Sequence, residues 1–221
     1  MTTLPPTILS DVPAAPKRIG EIIEASTTQF IAGSYELLET PPFGSMVRAQ
    51  ARDVQVGVYG LIYQISTGSR EPGGRAIVRG RTYTGRELYD EQIYAAHPDL
   101  AEVLQTEFVA ITVGFCEAGQ IYHYLPAHPP PVHYSVYPCS VAEQIAFSNQ
   151  FDFLRGILFA PNLPSDELIA AAIRSFARVR QAQCGDCEGY LLDVGRELAR
   201  LLKDDYDRLS ALLRRIRPAG P

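Results

Sequence analysis

Apolar and polar residues alternate with a period of two in short runs before residue 139, whereas beyond it they recur near every 3.6. The first pattern predicts strands over residues 18–25 and 29–32, with Ser26, Thr27 and Thr28 as turn material between them. Pro41, Pro42 and Gly44 punctuate the entry to a strand over 46–51. In the next strand Val54, Val56, Val58 and Ile62 share one face, and Gln55, Tyr59 and Tyr63 the other. Gly57 and Gly60 inside it predict a bulge or a tight bend. Residues 107–115 are apolar on both faces and predict a central strand, and Tyr122, Tyr124 and Leu125 close the series. Several short strands with this punctuation predict a small closed antiparallel β-barrel, because closure removes exposed strand edges.

Residues 66–106 interrupt the barrel as a long insertion. It opens on glycine- and proline-rich loop chemistry at 68–74, continues through Arg75, Arg79 and Arg81, and predicts short helices from Leu88, broken at Pro98. Pro126, Pro129, Pro130, Pro131 and Pro138 predict an extended strap over 128–139, a spacer at the domain boundary. Ser140 and Glu143 then form a capping-box pattern, with Val141, Ile145, Phe151 and Leu154 near one helical face. Ser165 predicts the cap of a second helix, with Asp166 and Glu167 favouring its dipole. From Leu191 to Ile216 the apolar spacing predicts one long amphipathic helix ended by Arg214, Arg215, Arg217 and Pro218. The expected fold class is therefore α+β: a loose arm over 1–16, a barrel over 17–127, the strap, and a helical module over 140–217.

Composition narrows the classes of function. The chain has 221 residues, 46% of them hydrophobic and 20% charged, which is ordinary globular usage with material for a real core. The longest apolar run, residues 108–115, is too short to span a bilayer, and residues 1–16 lack a charged start and an apolar stretch, so a cytoplasmic location is expected. Twenty Lys and Arg against 25 Asp and Glu, a net charge of −5, disfavour a dedicated duplex-binding protein. Residues 101–160 carry a single basic residue, Arg155, against five acidic ones.

Motifs for nucleotide or covalent chemistry are missing. No GxxxxGK[ST] loop, strand-linked GxGxxG or GxSxG elbow occurs. Cys184 and Cys187 form one CxxC, half of a zinc site, and Cys116 and Cys139 are not a second close pair, so an interhelical turn is expected. His123, His128 and His133 recur every five residues, a spacing that does not share one face of an extended strap. Asp204, flanked by Arg200 and Arg208 at helical spacing, predicts a solvated charged face. Tyr59, Tyr63, Tyr83, Tyr89 and Tyr94 with Arg79, Arg81 and Arg86 have the mix that stacks single-stranded nucleic acid, but Glu87, Asp90 and Glu91 beside them repel phosphate. No catalytic residue, cofactor or metal is assigned.

The run Arg18-Ile19-Gly20-Glu21-Ile22-Ile23-Glu24, then residues 26–30, then Pro42, Phe43, Gly44, Met46 and Val47, then Tyr59-Gly60-Leu61-Ile62, resembles the HAS-barrel family. That barrel is shared by HerA-type DNA-processing ATPases and the ring subunits of ATP synthase. The resemblance covers about 17–66 and 107–125 and implies a barrel fold and a role in assembly. In the family the barrel precedes a motor domain; here helices stand in that place, and no catalytic residue carries over. The expectation is a non-enzymatic scaffold or adaptor whose partner is a protein, with a ring ATPase as one candidate. The rival is an accessory protein of DNA processing that contacts single strands. The interaction surface expected from sequence comprises Tyr59, Tyr63, Arg79, Arg81, Leu209, Leu212, Leu213 and Ile216; the stripe that carries the last four is expected to dock within the chain and to self-associate through the remainder.

Overall fold

The computed structural model describes residues 17–81, 85–185 and 187–216. The predicted arm over 1–16, Tyr83, Asp186, Arg217 and Pro218 lie outside the described residues.

Seven strands form one antiparallel sheet: β1 (Gly20–Ala25), β2 (Gln29–Ser34), β3 (Met46–Gln50), β4 (Val56–Ser69), β5 (Leu104–Glu117), β6 (Gln120–Tyr122) and β7 (Ser135–Pro138). In space they run β2-β1-β7-β3-β4-β5, and β5 then pairs back onto β2, from Glu107 opposite Gly33 to Ile111 opposite Gln29. Six strands thus close a barrel, while β6 is a hairpin appended to β5. The alternation works as expected: Ile22, Phe30, Val47, Val58, Phe108 and Val136, one from each barrel strand, fill its interior with no solvent exposure. Gly60 lies in this interior, where an added Cβ would stand 2.9 Å from both the Phe30 ring and the Ala110 methyl. Glycine is there because the filled barrel has no room for more.

Three boundaries differ from the sequence-based expectation. The hairpin of β4 and β5 continues to Ser69 opposite Leu104, so the insertion leaves the sheet four residues later than predicted and Gly68 is strand, not loop. The barrel closes on β7 rather than at Tyr122–Leu125: the strap is no spacer, because Val136 pairs with both Gly20 and Ala49. Its prolines are compatible with this because the strand is only four residues long and Pro138 is its last. The predicted long terminal helix is two helices, turned at Lys203-Asp204-Asp205. Asp205 interrupts it by accepting the Arg208 backbone N–H at 3.1 Å, a cap that starts a new helix.

Two short helices, α1 (Glu91–Ala96) and α2 (Leu100–Val103), belong to the insertion. The helical module is α3 (Val141–Phe147), α4 (Phe153–Leu158), α5 (Ser165–Cys184), α6 (Glu188–Leu201) and α7 (Tyr206–Ile216). The capping box forms as predicted, with Ser140 Oγ accepting from the Glu143 N–H and Glu143 accepting from the Ser140 N–H. Ser165 does not cap α5. It is buried in the first turn and donates its hydroxyl to the Ile157 carbonyl at 2.7 Å, locking α4 to α5.

The module packs directly on the barrel. The outer face of β4 gives Tyr59 and Leu61 to a second core that includes Phe147, Leu154, Leu168, Ile173, Phe176, Val194, Leu198 and Leu212. Phe147 is its centre, with ring centroids 5.6 Å from Tyr59, 5.0 Å from Phe153 and 6.3 Å from Phe176. Gly44, at φ 82, lets the β2–β3 loop touch α5, where a Cβ would stand 2.5 Å from that of Ala171. Arg180 ties α5 to the end of α3 by donating to the Ile145 carbonyl, Ser148 and Asn149 at 2.8–3.0 Å, and its guanidinium lies 4.6 Å over the Tyr190 ring. Arg208 reaches from α7 to Asp166 on α5 at 2.8 Å.

This packing settles where the terminal apolar stripe goes. Leu212 is fully buried and Ile216 nearly so, while Leu209 and Leu213 pack half-buried against the same core. Leu212 and Ile216 are covered within the chain, because α7 lies against α5 and α6. Gly60→Ala is expected to cost about 2 kcal/mol through overpacking of Phe30, read from denaturant unfolding. Leu212→Ala is expected to cost about 3 kcal/mol by the same measurement, with the light-scattering mass unchanged.

Candidate interaction surface

The residues expected to form one surface separate into three environments. Tyr59 is 2% exposed, sealed under α3, and its hydroxyl approaches Glu143 at 3.5 Å, so it is core and not contact surface. Burial pushes its phenol far above the ordinary range, with the Glu143 charge adding to the effect. Leu209, Leu212, Leu213 and Ile216 belong to the module core described above. Tyr63 is half-buried at the seam between barrel and helices, donating to Gln29 Oε1 at 2.8 Å. Arg79 and Arg81 lie on the insertion, outside both cores.

The insertion is carried at the end of the extended β4–β5 hairpin. Leu100 anchors it as its buried residue, and Arg70 fixes its base by donating to the Leu104 carbonyl at 3.2 Å. Its two flanks are held by charge: Arg79 pairs with Asp99 at 3.1 Å and Arg81 with Glu87 at 3.5 Å, while Tyr89 donates to Glu87 at 2.8 Å. Arg79 and Arg81 are thus already opposed by carboxylates. Leading up to Arg79 is a stretch without regular structure, residues 74–79, in which Ile77 is 74% exposed and Val78 88%. Tyr89, Tyr94 and Val103 add further exposed apolar area around a groove of about 790 Å³. Sequence reasoning chose the arginines and missed Ile77 and Val78. Two consecutive β-branched residues in a glycine- and arginine-rich loop, with no amphipathic period to bury them, were the available signal.

The remaining candidates for chemistry do not converge. His123 is half-buried against Phe147, ring centroids 4.3 Å apart, and desolvation lowers its pKa so that it is held neutral. His133 pairs instead with Glu21 on β1, and His128 is exposed. Cys184 ends α5, Gly185 turns the chain in the left-handed conformation, and Cys187 precedes α6, an interhelical turn as read from sequence. Cys139 is buried beside the barrel, where desolvation raises its thiol well above the ordinary range. Asp204 pairs with Lys203 at 3.9 Å, whereas Arg200 bonds Glu197 and Arg208 bonds Asp166. Among the described residues no helix is long and apolar enough to cross a membrane.

Limited trypsin digestion is expected to cut first after Arg75, in the exposed stretch without regular structure, and to leave α5 intact until the module unfolds. Mass spectrometry of early fragments reads the order of cleavage.

Comparison with known proteins agrees with this architecture. No curated protein matches the chain at a meaningful level. Residues 19–117 match the family model described as the HAS barrel domain. The matched span contains β1 to β5, five of the six strands that close the barrel, and stops before β7. Over residues 19–117 the N-terminal barrel of this chain is similar to the HAS barrel domain.

Proposed function

We propose that the protein is a non-catalytic adaptor: a HAS barrel and its docked helices form a rigid frame, and the insertion presents a contact face to a protein partner. The observation that carries this reading is the exposure of Ile77 and Val78 on an arm anchored at both ends. Such paired apolar exposure is costly unless a surface covers it, at about 25 cal/mol per Å² of area left in water. The family's association with ATPase assemblies makes a ring ATPase the partner class to test first. An assembly role also fits the missing phosphate-cradling loop, without which a transferring phosphoryl group lacks its Lys and Ser/Thr. Direct contact with single-stranded DNA is the weaker reading, since Arg79 and Arg81 are each paired with a carboxylate.

Affinity capture from the native cell with wild-type protein and with the double variant Ile77→Asp and Val78→Asp tests the reading. The expected outcome is a partner retained by wild type and lost by the variant, with identical circular dichroism and melting temperature. Partner recovery equal in both proteins overturns the insertion as the contact face.

A further inference from the structure

All four cysteines are free thiols, and they fall into two kinds. Cys139 is buried and Cys116 packs half-buried against the helical core, where each serves as a small apolar side chain. Cys184 is exposed, three residues before the half-buried Cys187. Cysteine is among the residue types most often buried, so packing does not account for an exposed one at this spacing from a second.

The helix that carries Cys184 outruns the body it packs on. Ala177 is the last buried residue of α5, Val179 and Arg180 are half-buried, and every residue from Gln181 to Gly185 is exposed. On the return, Cys187 packs at the edge of the module core, Glu188 and Gly189 are exposed, and Tyr190 is the first buried residue of α6. One turn of helix, about 5 Å long, thus stands clear of the core with the cysteine pair at its end. Gly185, at φ 71, reverses the chain between the two thiols. A Cβ added at Gly185 or at Gly189 would meet nothing within 4 Å, so the tip is open to close approach from outside. Two thiolates at CxxC spacing chelate one soft or borderline cation, and zinc completes its tetrahedron with four ligands. Among the described residues no group of three or more His, Cys, Asp or Glu is placed to hold a metal ion, so one chain supplies half of a site.

We infer that Cys184 and Cys187 are one half of a four-thiolate zinc site completed by the same pair of a second copy of this chain. A second copy is the occupant because the missing half must be another thiol pair of this spacing, and a two-fold axis through the ion supplies it from an identical surface, the commonest closed symmetry of soluble oligomers. The exposed tip is what permits this, since a pair sunk in the module could not meet its twin. On binding, each of the four thiols releases its proton to solvent, the ion gains four sulfur ligands, and no electron is transferred. Two copies joined in this way would offer two insertions to one partner assembly. The site uses neither the insertion nor its partner, so its failure would leave the adaptor reading standing.

The test uses the full-length protein, kept reduced with a phosphine and stripped of metal, then titrated with zinc while light scattering reads its mass. The mass is expected to double, with an end point at one zinc for every two chains, and to fall back when excess chelator is added. Cobalt(II) in place of zinc should give the intense visible absorption of a tetrahedral four-thiolate ion, with the same end point, and zinc should displace it. Cys184→Ser, at an exposed side chain, should lose both the doubling and the absorption while keeping the circular dichroism and melting temperature of the metal-free wild type. A mass that zinc leaves unchanged, an end point of one ion per chain, or doubling that survives in Cys184→Ser each overturns the assignment.

Discussion

The structure depends on one strand being buried from both sides. Inward, β4 gives Val58 and Ile62 to the barrel; outward, it gives Tyr59 and Leu61 to the helices. Neither core is complete without it, so the barrel and the helical module share a wall rather than meet at an interface. Each fully buried side chain of this size contributes about 1.5–3 kcal/mol, and four on one strand outweigh anything the scattered surface ion pairs can supply. Glu143 reinforces the same junction. It completes the capping box of α3 and also approaches Arg48 of β3 at 3.5 Å, so the helix begins where the barrel wall holds it.

A frame of this kind leaves sequence freedom to what projects from it. The extended hairpin moves the insertion away from the double core, where sequence there is free of packing constraint, and the exposed Ile77 and Val78 are tolerated because the frame does not need them.

The barrel was largely legible in the sequence because its signal is local. Alternation along β1 to β5, the glycine at position 60 and the capping box at Ser140 each rest on neighbouring residues. The failures share a cause as well. Tyr59 reads as a solvent-facing tyrosine until the helices that cover it are placed, and that placement depends on residues some 80 positions later in the chain. Leu212 and Ile216 show a stripe to be buried but not the body that buries it. The strap was misread because proline density argued for a spacer, while β7 has a single buried apolar side chain, Val136, and four residues carry no period to reveal it. Ile77 and Val78 were passed over because loops are read for glycine and charge.

The placement of β7 between β1 and β3 has a consequence for how the molecule comes into being. A ribosome emits the strands in order, and β1 to β5 can pair as they emerge, but the slot between β1 and β3 stays open until Pro138 is outside. The nascent chain therefore carries an unsealed sheet, with two unpaired edges, through the synthesis of the whole insertion and strap, and closure spans well over a hundred residues of sequence. Once β7 locks in, the next residues to appear are those of the capping box, so the seal of the barrel and the nucleus of the helical module are made from one continuous piece of chain.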